Sequence, residues 1–306
     1  MSKTARATLA GLLGNSIFGF GFLFAKVAME NIAPFAMVAF RMTIAFLIMN
    51  ALLLTGKVRI SLKGKPVKLL LLMGLVHPVL YMICESYGLA LTPASFSGLM
   101  IGMAPVAGLV MGRIFLKERC TTKQVICAIL SVMGVMLTSF GGGMGVISLA
   151  GTLFLVGAVI LYALYNVISR GISEYFTAFE RTYMMFALGS VSFIVLALFE
   201  CGGDVAGILF ALEQPGVWTG ILYLAVVSSV FGFMLVNYSL SYLSVARATL
   251  FSNVTTVISV LAGIFILHDQ FSALQLVGVA VILASVCGVS YQKEPSAGRM
   301  TSKTKL

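Results

Sequence analysis

Glu85 is an acidic side chain set well inside a run of apolar residues. Apolar surroundings disfavour an ionised carboxylate, so such a group is a candidate for binding a proton or an ammonium group. The alternative is a structural ion pair with Arg41, which its own apolar run is expected to place at a similar depth. Lys26, at the end of the first apolar run, either joins Glu85 and Arg41 or extends its long side chain so that the ammonium group reaches the lipid headgroups. The sequence leaves the proton-binding and structural interpretations of Glu85 open.

His77 and Pro78 precede Glu85 in the same apolar run. Proline lacks the N–H that a helix interior needs, so Pro78 predicts a kink whose freed carbonyl requires another partner. His77 is a candidate proton relay, although a single histidine is more often a packing residue near neutral pH. Pro105 predicts either a simple kink or a backbone opening towards a cavity.

Tyrosines and asparagines are distributed over several apolar runs: Asn15, Tyr81, Tyr162, Tyr165, Asn166, Asn237, Tyr238 and Asn253. Aromatic faces with sparse amide groups suit a ligand pocket that is largely apolar but oriented by a few polar contacts. Each residue taken alone is better explained by packing or by hydrogen bonds between helices. Taken together they predict the lining of a cavity.

The elements that carry these residues are apolar enough to cross a membrane. Hydrophobic residues make up 60% of the chain and charged residues 10%, which is too little charge for a soluble surface. A membrane-crossing helix needs about 17 to 25 mostly apolar residues. Ten such runs are present, at 8–28, 34–55, 69–90, 94–114, 123–140, 148–168, 181–200, 216–236, 245–266 and 272–291. Because the runs are continuously apolar and lack the alternation of a membrane barrel, the predicted fold class is an all-α integral membrane protein with ten spans.

The positions of the basic residues predict the orientation of these spans. The net charge of +10 does not indicate a nucleic-acid partner, since in a membrane chain the location of Lys and Arg matters more than their sum. With a cytoplasmic amino terminus, the loop 57–68, Arg170 and Arg181 all fall on the cytoplasmic side. Arg247, at the start of the ninth span, is expected to face lipid phosphates, or else to receive an anionic group. Both termini are predicted to be cytoplasmic.

A segment of the chain is repeated 151 positions later, so that Tyr87 corresponds to Tyr238 without a gap. The glycine-rich stretch after the fifth span is the expected linker. Residues 1–143 and 144–292 are therefore predicted to form two five-helix repeats, followed by a basic cytoplasmic tail at 293–306. Because five is odd, the second repeat begins on the opposite side of the membrane, and the two repeats are inverted.

Small residues predict close helix packing in the fourth and ninth spans. Gly108 and Gly112 share a spacing of four residues, and Ser259 and Gly263 occupy the corresponding positions of the second repeat. Lipid supplies no hydrophobic drive between helices, so close backbone approach through small residues takes its place. These positions are interpreted as packing seams, with sliding during a conformational change as the functional alternative.

Motifs for metal, cofactor or nucleotide chemistry are missing from the sequence. The five cysteines lack metal-ligand spacing, and no phosphate-binding loop, H-E-x-x-H or G-x-S-x-G element occurs. A membrane-embedded enzyme is therefore disfavoured. An ion channel is disfavoured as well, since neither a filter sequence nor rings of charge are visible. No cofactor is expected.

The duplicated motifs resemble the EamA repeat. The first copy comprises Pro105-Val106-Ala107, Phe115-Leu116-Lys117-Glu118, Gln124 and Gly134, and the second comprises Ala246-Arg247-Ala248-Thr249, Asn253, Ile264-Phe265-Ile266-Leu267-His268-Asp269 and Gln275. The chain to about residue 292 is similar in length and helix number to the ten-helix type of the drug/metabolite transporter superfamily. It departs from the pattern at Thr256, which corresponds to Pro105, and at Asp269, where many relatives have Glu.

The resemblance implies a secondary transporter of small metabolites in the plasma membrane, with a central cavity among spans 1, 3, 4, 6, 8 and 9. Within this class the expected function is export of an amino acid or a related compound by alternating access. The alternative is a drug or lipid-linked substrate translocator of the same fold. Proton coupling and the choice between monomer and homodimer stay open.

Overall fold

The computed structural model describes residues 2–56, 58–91, 100–118, 120–140, 148–214, 216–255, 257–258, 262 and 272–290, and all regular structure in these ranges is helical. In chain order the helices are α1 (Lys3–Met29), α2 (Pro34–Leu54), α3 (Val67–Gly74), α4 (Tyr81–Leu91), α5 (Ala104–Leu116), α6 (Thr122–Phe140), α7 (Leu149–Gly171), α8 (Ala178–Glu200), α9 (Val205–Leu212), α10 (Val217–Leu222), α11 (Met234–Tyr242), α12 (Val245–Leu250) and α13 (Ala273–Ser290). A first π-helical segment, Leu75–Leu80, joins α3 to α4, and a second, Tyr223–Phe233, joins α10 to α11. The prediction of an all-α protein is confirmed.

Five helical stretches among the described residues are long and apolar enough to cross a membrane. They are Pro34–Leu54, Val67–Gly88, Leu149–Gly171, Ala178–Glu200 and Val217–Tyr242. Three shorter apolar helices accompany them, at Ala104–Leu116, Thr122–Gly134 and Leu276–Gly288. The start of the predicted fourth span and much of the ninth fall outside the described residues, so the number of ten spans stays a prediction.

The helices pack in pairs that join the two halves of the chain. α2 lies along α8, α4 along α7, α5 against α12, and α6 along α13, while α1 contacts α10, α11 and the second π-helical segment. Buried side chains from both halves, among them Met42, Phe186 and Val230, form the main hydrophobic core. Each pair takes one helix from each predicted repeat, which fits a two-repeat layout.

The start of α8 shows how the local sequence sets a helix boundary. The Thr177 hydroxyl accepts from the Glu180 N–H at 3.2 Å, and Glu180 Oε2 accepts from the Thr177 N–H at 2.8 Å. This reciprocal capping box satisfies backbone donors that the first turn cannot pair internally. Glu180 Oε1 also accepts from the Ser61 N–H at 2.9 Å and from Lys65 Nζ at 2.8 Å. The basic loop before α3 is therefore tied to the start of α8.

The two proline positions singled out in the sequence differ in local structure. Pro78 lies in the first π-helical segment, where His77 has φ −142° and ψ 120°, outside the helical region. The helix is therefore interrupted midway along the stretch Val67–Gly88. Pro105 instead lies in the first turn of α5, after the cap residue Met103. A missing N–H has no cost there, so Pro105 starts a helix in the described structure.

Candidate functional site

Glu85 lies half-buried on α4, one helical turn after Tyr81 and on the same face. The Tyr81 hydroxyl donates to Glu85 Oε1 at 2.8 Å. The ring of Tyr81 stacks on the imidazole of His77, with centroids 4.7 Å apart and an interplanar angle of 19°. Because Tyr81 is only 9% exposed, this face of α4 points into the bundle and carries the Glu85 carboxylate with it.

Aromatic rings from other elements complete the surroundings of His77. Tyr165 and Tyr162 of α7 lie 4.7 Å and 6.3 Å from the imidazole, and Phe233 of the second π-helical segment lies 5.3 Å away, between ring centroids. His77 is 3% exposed, and its Nδ1 has no hydrogen-bond partner among the described residues. We name the group His77, Tyr81, Glu85, Tyr162 and Tyr165 the central cluster.

Arg41 of α2 is held by two serine hydroxyls. Its Nε donates to Ser229 Oγ at 2.8 Å, and its Nη2 donates to Ser228 Oγ at 3.1 Å. Within the described part of the chain, Arg41 makes no contact ion pair with Glu85, so the structural pair considered from the sequence does not form. The two charges still interact at longer range. Lys26 belongs to α1, but its side chain lies outside the described residues.

A second polar cluster surrounds Arg181, whose side chain is 0% exposed. Arg181 Nη1 donates to the carbonyl of Ser169 at 2.8 Å and to its hydroxyl at 2.6 Å. Arg181 Nη2 donates to the carbonyl of Asn237 at 2.6 Å and to Ser241 Oγ. The Asn237 side chain accepts from Ser169 Oγ at 2.7 Å and donates to Thr182 Oγ1 at 3.0 Å. We name Ser169, Arg181, Thr182, Asn237 and Ser241 the Arg181 cluster.

Tyr165 connects the two clusters. Its ring lies against His77, and its hydroxyl donates to Asn237 Oδ1 at 3.2 Å. Side-chain contacts therefore connect Glu85 through Tyr81, His77 and Tyr165 to Asn237, with hydrogen bonds at the two ends and ring contacts at His77. Polar groups inside an apolar bundle are costly to bury, so these connected side chains are the candidate functional region.

The end of the bundle near the Arg181 cluster carries further charged contacts. Arg170 Nη1 donates to the carbonyls of Leu240 at 3.3 Å and Ser241 at 2.6 Å. Its Nε lies 4.0 Å from Glu118 Oε1, and Glu118 Oε2 accepts from the Val245 N–H at 2.9 Å. We call this the basic end of the bundle; the charge map predicts that it is cytoplasmic.

The other predicted cavity residues make separate contacts between or within helices. Asn166 donates to the Tyr162 carbonyl at 2.8 Å, and Asn15 donates to the Gly11 carbonyl at 2.8 Å. Asn253 donates to Ser131 of α6, and Tyr238 packs on Tyr242 with centroids 5.0 Å apart. The predicted residues that are brought together are His77, Tyr81, Glu85, Tyr162, Tyr165 and Asn237.

Gly108 and Gly112 of α5 face α12. A Cβ at Gly108 would lie 2.5 Å from Thr249 Cγ2, and one at Gly112 would lie 3.3 Å from Val245 Cβ and 2.9 Å from Glu118 Oε2. Only glycine permits this approach of the two helices. The corresponding Ser259 and Gly263 lie outside the described residues.

Sequence reasoning missed Arg181 and misjudged Arg247. The orientation rule assigned Arg181 to the cytoplasmic segment, yet the guanidinium is fully buried. The capping box at Thr177 and Glu180 is a sequence signal that begins the helix before Arg181. It could have shown that Arg181 belongs to the helix rather than to the preceding loop. Arg247 was expected to face lipid phosphates, but it is 3% exposed and its Nη2 donates to Thr8 Oγ1 at 3.1 Å.

The site offers charged and hydrogen-bonding groups for holding a small polar molecule. The described residues contain no group of three or more His, Cys, Asp or Glu side chains that could hold a metal ion. Apolar helices paired across the chain, with polar clusters buried between them, define a multi-pass membrane protein.

The chain belongs to the EamA-like transporter family, whose model matches residues 5–140 and 149–291. The resemblance inferred from the repeated motifs is therefore confirmed. Among similar proteins is the uncharacterized transporter YcxC of Bacillus subtilis, which is 33% identical over 297 residues, 96% of this chain and 95% of that protein. A probable terminal-alkyne amino-acid exporter of Streptantibioticus cattleyicolor is 24% identical over 73% of each chain.

A solved crystal structure has the same fold. It superposes with a TM-score of 0.73 over 93% of this chain and 98% of its own, at 18% sequence identity. At that identity the likeness concerns the fold alone. The family and the relatives' names make this protein a transporter homologue.

Proposed function

We propose that this protein is a secondary transporter that exports an amino acid or a related metabolite across the plasma membrane by alternating access. One observation carries the substrate class: Arg41 and Glu85, of opposite charge, lie in two of the stretches apolar enough to cross a membrane and form no contact ion pair with each other. A free α-amino acid carries a carboxylate and an ammonium group bonded to the same α-carbon. Arg41 would receive the carboxylate and Glu85 the ammonium group, since charge-assisted hydrogen bonds are the strong ones.

The surroundings of the two charges support this assignment. Arg41 is held by hydroxyls of Ser228 and Ser229, which are neutral and exchangeable partners. Glu85 has one hydroxyl donor, from Tyr81, and an ionised carboxylate can accept more than one. The name of the Streptantibioticus cattleyicolor relative, a probable amino-acid exporter, supports the same substrate class.

Glu85 is also the proposed coupling site for a proton. Its carboxylate lies at the start of the polar chain that runs through His77 and Tyr165 to Asn237. A carboxyl group in apolar surroundings changes its proton affinity with exposure, so alternating access would change its occupancy. In this proposal the basic end is cytoplasmic, and the two repeats 1–143 and 144–292 move relative to one another.

Counterflow in proteoliposomes tests the substrate class. Liposomes loaded with an unlabelled amino acid are assayed for uptake of the same labelled compound, beside panels of nucleobases, cationic dyes and lipid-linked sugars. We expect saturable counterflow for an amino acid, with loss in Arg41→Gln and Glu85→Gln and no loss in Arg113→Gln, which changes an exposed arginine of α5. Saturable flux of a dye or a lipid-linked compound, with none for any amino acid, would replace this proposal by the alternative of the same fold.

A further inference from the structure

Arg181 is a buried cation without an acidic partner. Its side chain is 0% exposed, and no carboxylate lies within 4.0 Å of it in the part of the chain that the structure describes. All four of its hydrogen-bond acceptors are neutral, and its Nε has no described partner. A buried guanidinium is unfavourable unless something compensates its charge. The question is what supplies the compensation.

Two helix ends supply it. The Ser169 carbonyl lies in the last turn of α7, and Ser241 and Asn237 lie in the last two turns of α11. Carbonyl groups at a helix carboxyl end carry a partial negative charge and lack partners within the helix. Arg170 donates to the carbonyls of Leu240 and Ser241, so the carboxyl end of α11 accepts hydrogen bonds from two guanidinium groups. The charge of Arg181 is thus compensated only while both helix ends are close to it.

The helices that meet at Arg181 belong to three different pairs. Arg181 itself is on α8, which lies along α2; Ser169 is on α7, which lies along α4; and Asn237 and Ser241 are on α11, which lies along α1. Any movement of one pair relative to the others must break contacts that cross between them. The bonds of Arg181 to α11 are contacts of this kind, and they lie at the basic end beside the polar chain from Glu85.

We propose that Arg181 closes the basic end of the transport pathway by holding the ends of α7 and α11 together, and that its bonds to α11 break each time that end opens. This proposal rests on the proposed alternating-access function. Arg181 is a positioning residue here, since it acts through the helix ends rather than on the substrate. On opening, water or an anionic group replaces the α11 acceptors, while the Ser169 acceptors stay with α7.

Cysteine accessibility tests the closure without any substrate. In a variant whose five native cysteines are replaced by serine, Asn166→Cys is the reporter, because Asn166 is 1% exposed and lies on α7 one turn further from the basic end than Arg170. Membrane vesicles of known orientation are treated with an impermeant maleimide from the side of the basic end. We expect Arg181→Gln to raise the labelling rate about tenfold, Arg181→Lys to raise it less, and the exposed Arg113→Gln to leave it unchanged.

A monodisperse Arg181→Gln protein with an unchanged labelling rate would overturn the closure. A second variant decides the case in which Arg181→Gln does not fold. Ser169→Cys on α7 and Ser241→Cys on α11, in the variant without native cysteines and with Arg181 kept, are joined by a short bifunctional thiosulfonate, and counterflow is measured before and after release of the link with a reductant. We expect the linked protein to lose transport and the released protein to regain it. Continued transport by the fully linked protein refutes the proposal, whereas absence of amino-acid counterflow with a changed labelling rate refutes only the substrate class.

Discussion

Replacement of Gly108 by alanine is expected to separate α5 from α12. An added Cβ would lie 2.5 Å from both Thr249 Cγ2 and Thr249 Oγ1, and 2.9 Å from Thr249 Cβ. These separations are shorter than van der Waals contact, so one of the helices must move. Rotation of the Thr249 side chain gives little relief, because its hydroxyl donates to the Val245 carbonyl at 2.8 Å and its Cβ is fixed to the backbone.

The size of the effect follows from two opposing terms. Overpacking a tight contact costs about 1 to 3 kcal/mol, while replacing a helical glycine by alanine contributes about 0.5 to 1 kcal/mol of stability. Gly108→Ala is therefore expected to lower the free energy of unfolding by up to about 2.5 kcal/mol, with about 1 kcal/mol from the middle of the two ranges. Gly157→Ala on α7 is the matched control, since the nearest atom to its added Cβ is Cys84 Sγ at 3.6 Å. The same chemical change is expected to be neutral or slightly stabilising there.

Thermal unfolding of the detergent-purified protein, followed by circular dichroism in the far ultraviolet, measures the difference. A change of 1 kcal/mol shifts the midpoint by about 2 to 4 °C in chains somewhat shorter than this one. Thr249→Ala removes two of the three clashing atoms, so the double variant with Gly108→Ala should recover part of the loss. If Gly108→Ala and Gly157→Ala unfold at the same temperature, α5 and α12 do not pack as described.

Three further changes test the central cluster and the attachment of the basic loop. Glu85→Gln is expected to lose most of the counterflow, and the residual flux is expected to be independent of pH; a variant that retains both flux and its pH dependence excludes Glu85 as the proton site. Tyr81→Phe keeps the ring but removes the hydroxyl that donates to Glu85. A hydrogen bond to a charged group contributes about 1.5 to 3 kcal/mol, so we expect the KM for counterflow to rise about tenfold. The far-ultraviolet circular dichroism spectrum should be unchanged. Glu180→Gln removes the charge that pairs with Lys65 and should lower the unfolding midpoint by about 2 to 6 °C. Glu174→Gln, which changes an exposed glutamate, should leave the midpoint unchanged. Equal midpoints for the two variants would contradict a stabilising role of the ion pair.

The helical class was predictable because it depends on properties that the chain displays locally. Long apolar runs without alternation can form helices in lipid but not barrel strands. The start of α8 is also local, since Thr177 and Glu180 have the spacing of a capping box. The face shared by Tyr81 and Glu85 follows from their spacing of four residues on a helix.

The partners of the buried charges were not predictable in the same way. Arg41 was expected beside Glu85 from depth alone, but depth does not determine which helices are neighbours. The serines that bind Arg41 belong to the second π-helical segment, which is remote in sequence. Arg181 was missed for a related reason: a count of basic residues by loop treats every arginine near a span end as solvated. Its compensation comes from backbone carbonyls, which leave no trace in the residue pattern.

The two π-helical segments show which features the two predicted repeats share and which they do not. Leu75–Leu80, moved by the 151-residue offset, falls within Tyr223–Phe233, so both predicted repeats depart from α-helical geometry at corresponding places. Proline explains the departure in the first segment, but the second contains none. The first segment is a break at His77, whereas no such break occurs in the second, so the shared feature is the position of the departure rather than its backbone geometry.

The side chains at these corresponding places differ in chemistry. His77 and Pro78 correspond to Ser228 and Ser229, and the serines bind the Arg41 guanidinium. Glu85 corresponds to Val236, which is buried against apolar neighbours. The first predicted repeat thus supplies a carboxylate and an imidazole, while the second supplies the hydroxyls that bind the Arg41 guanidinium. Arg41 and Glu85 both belong to the first predicted repeat, and the second repeat supplies the serines that bind Arg41, so the proposed recognition of an amino acid depends on side chains that differ between the halves.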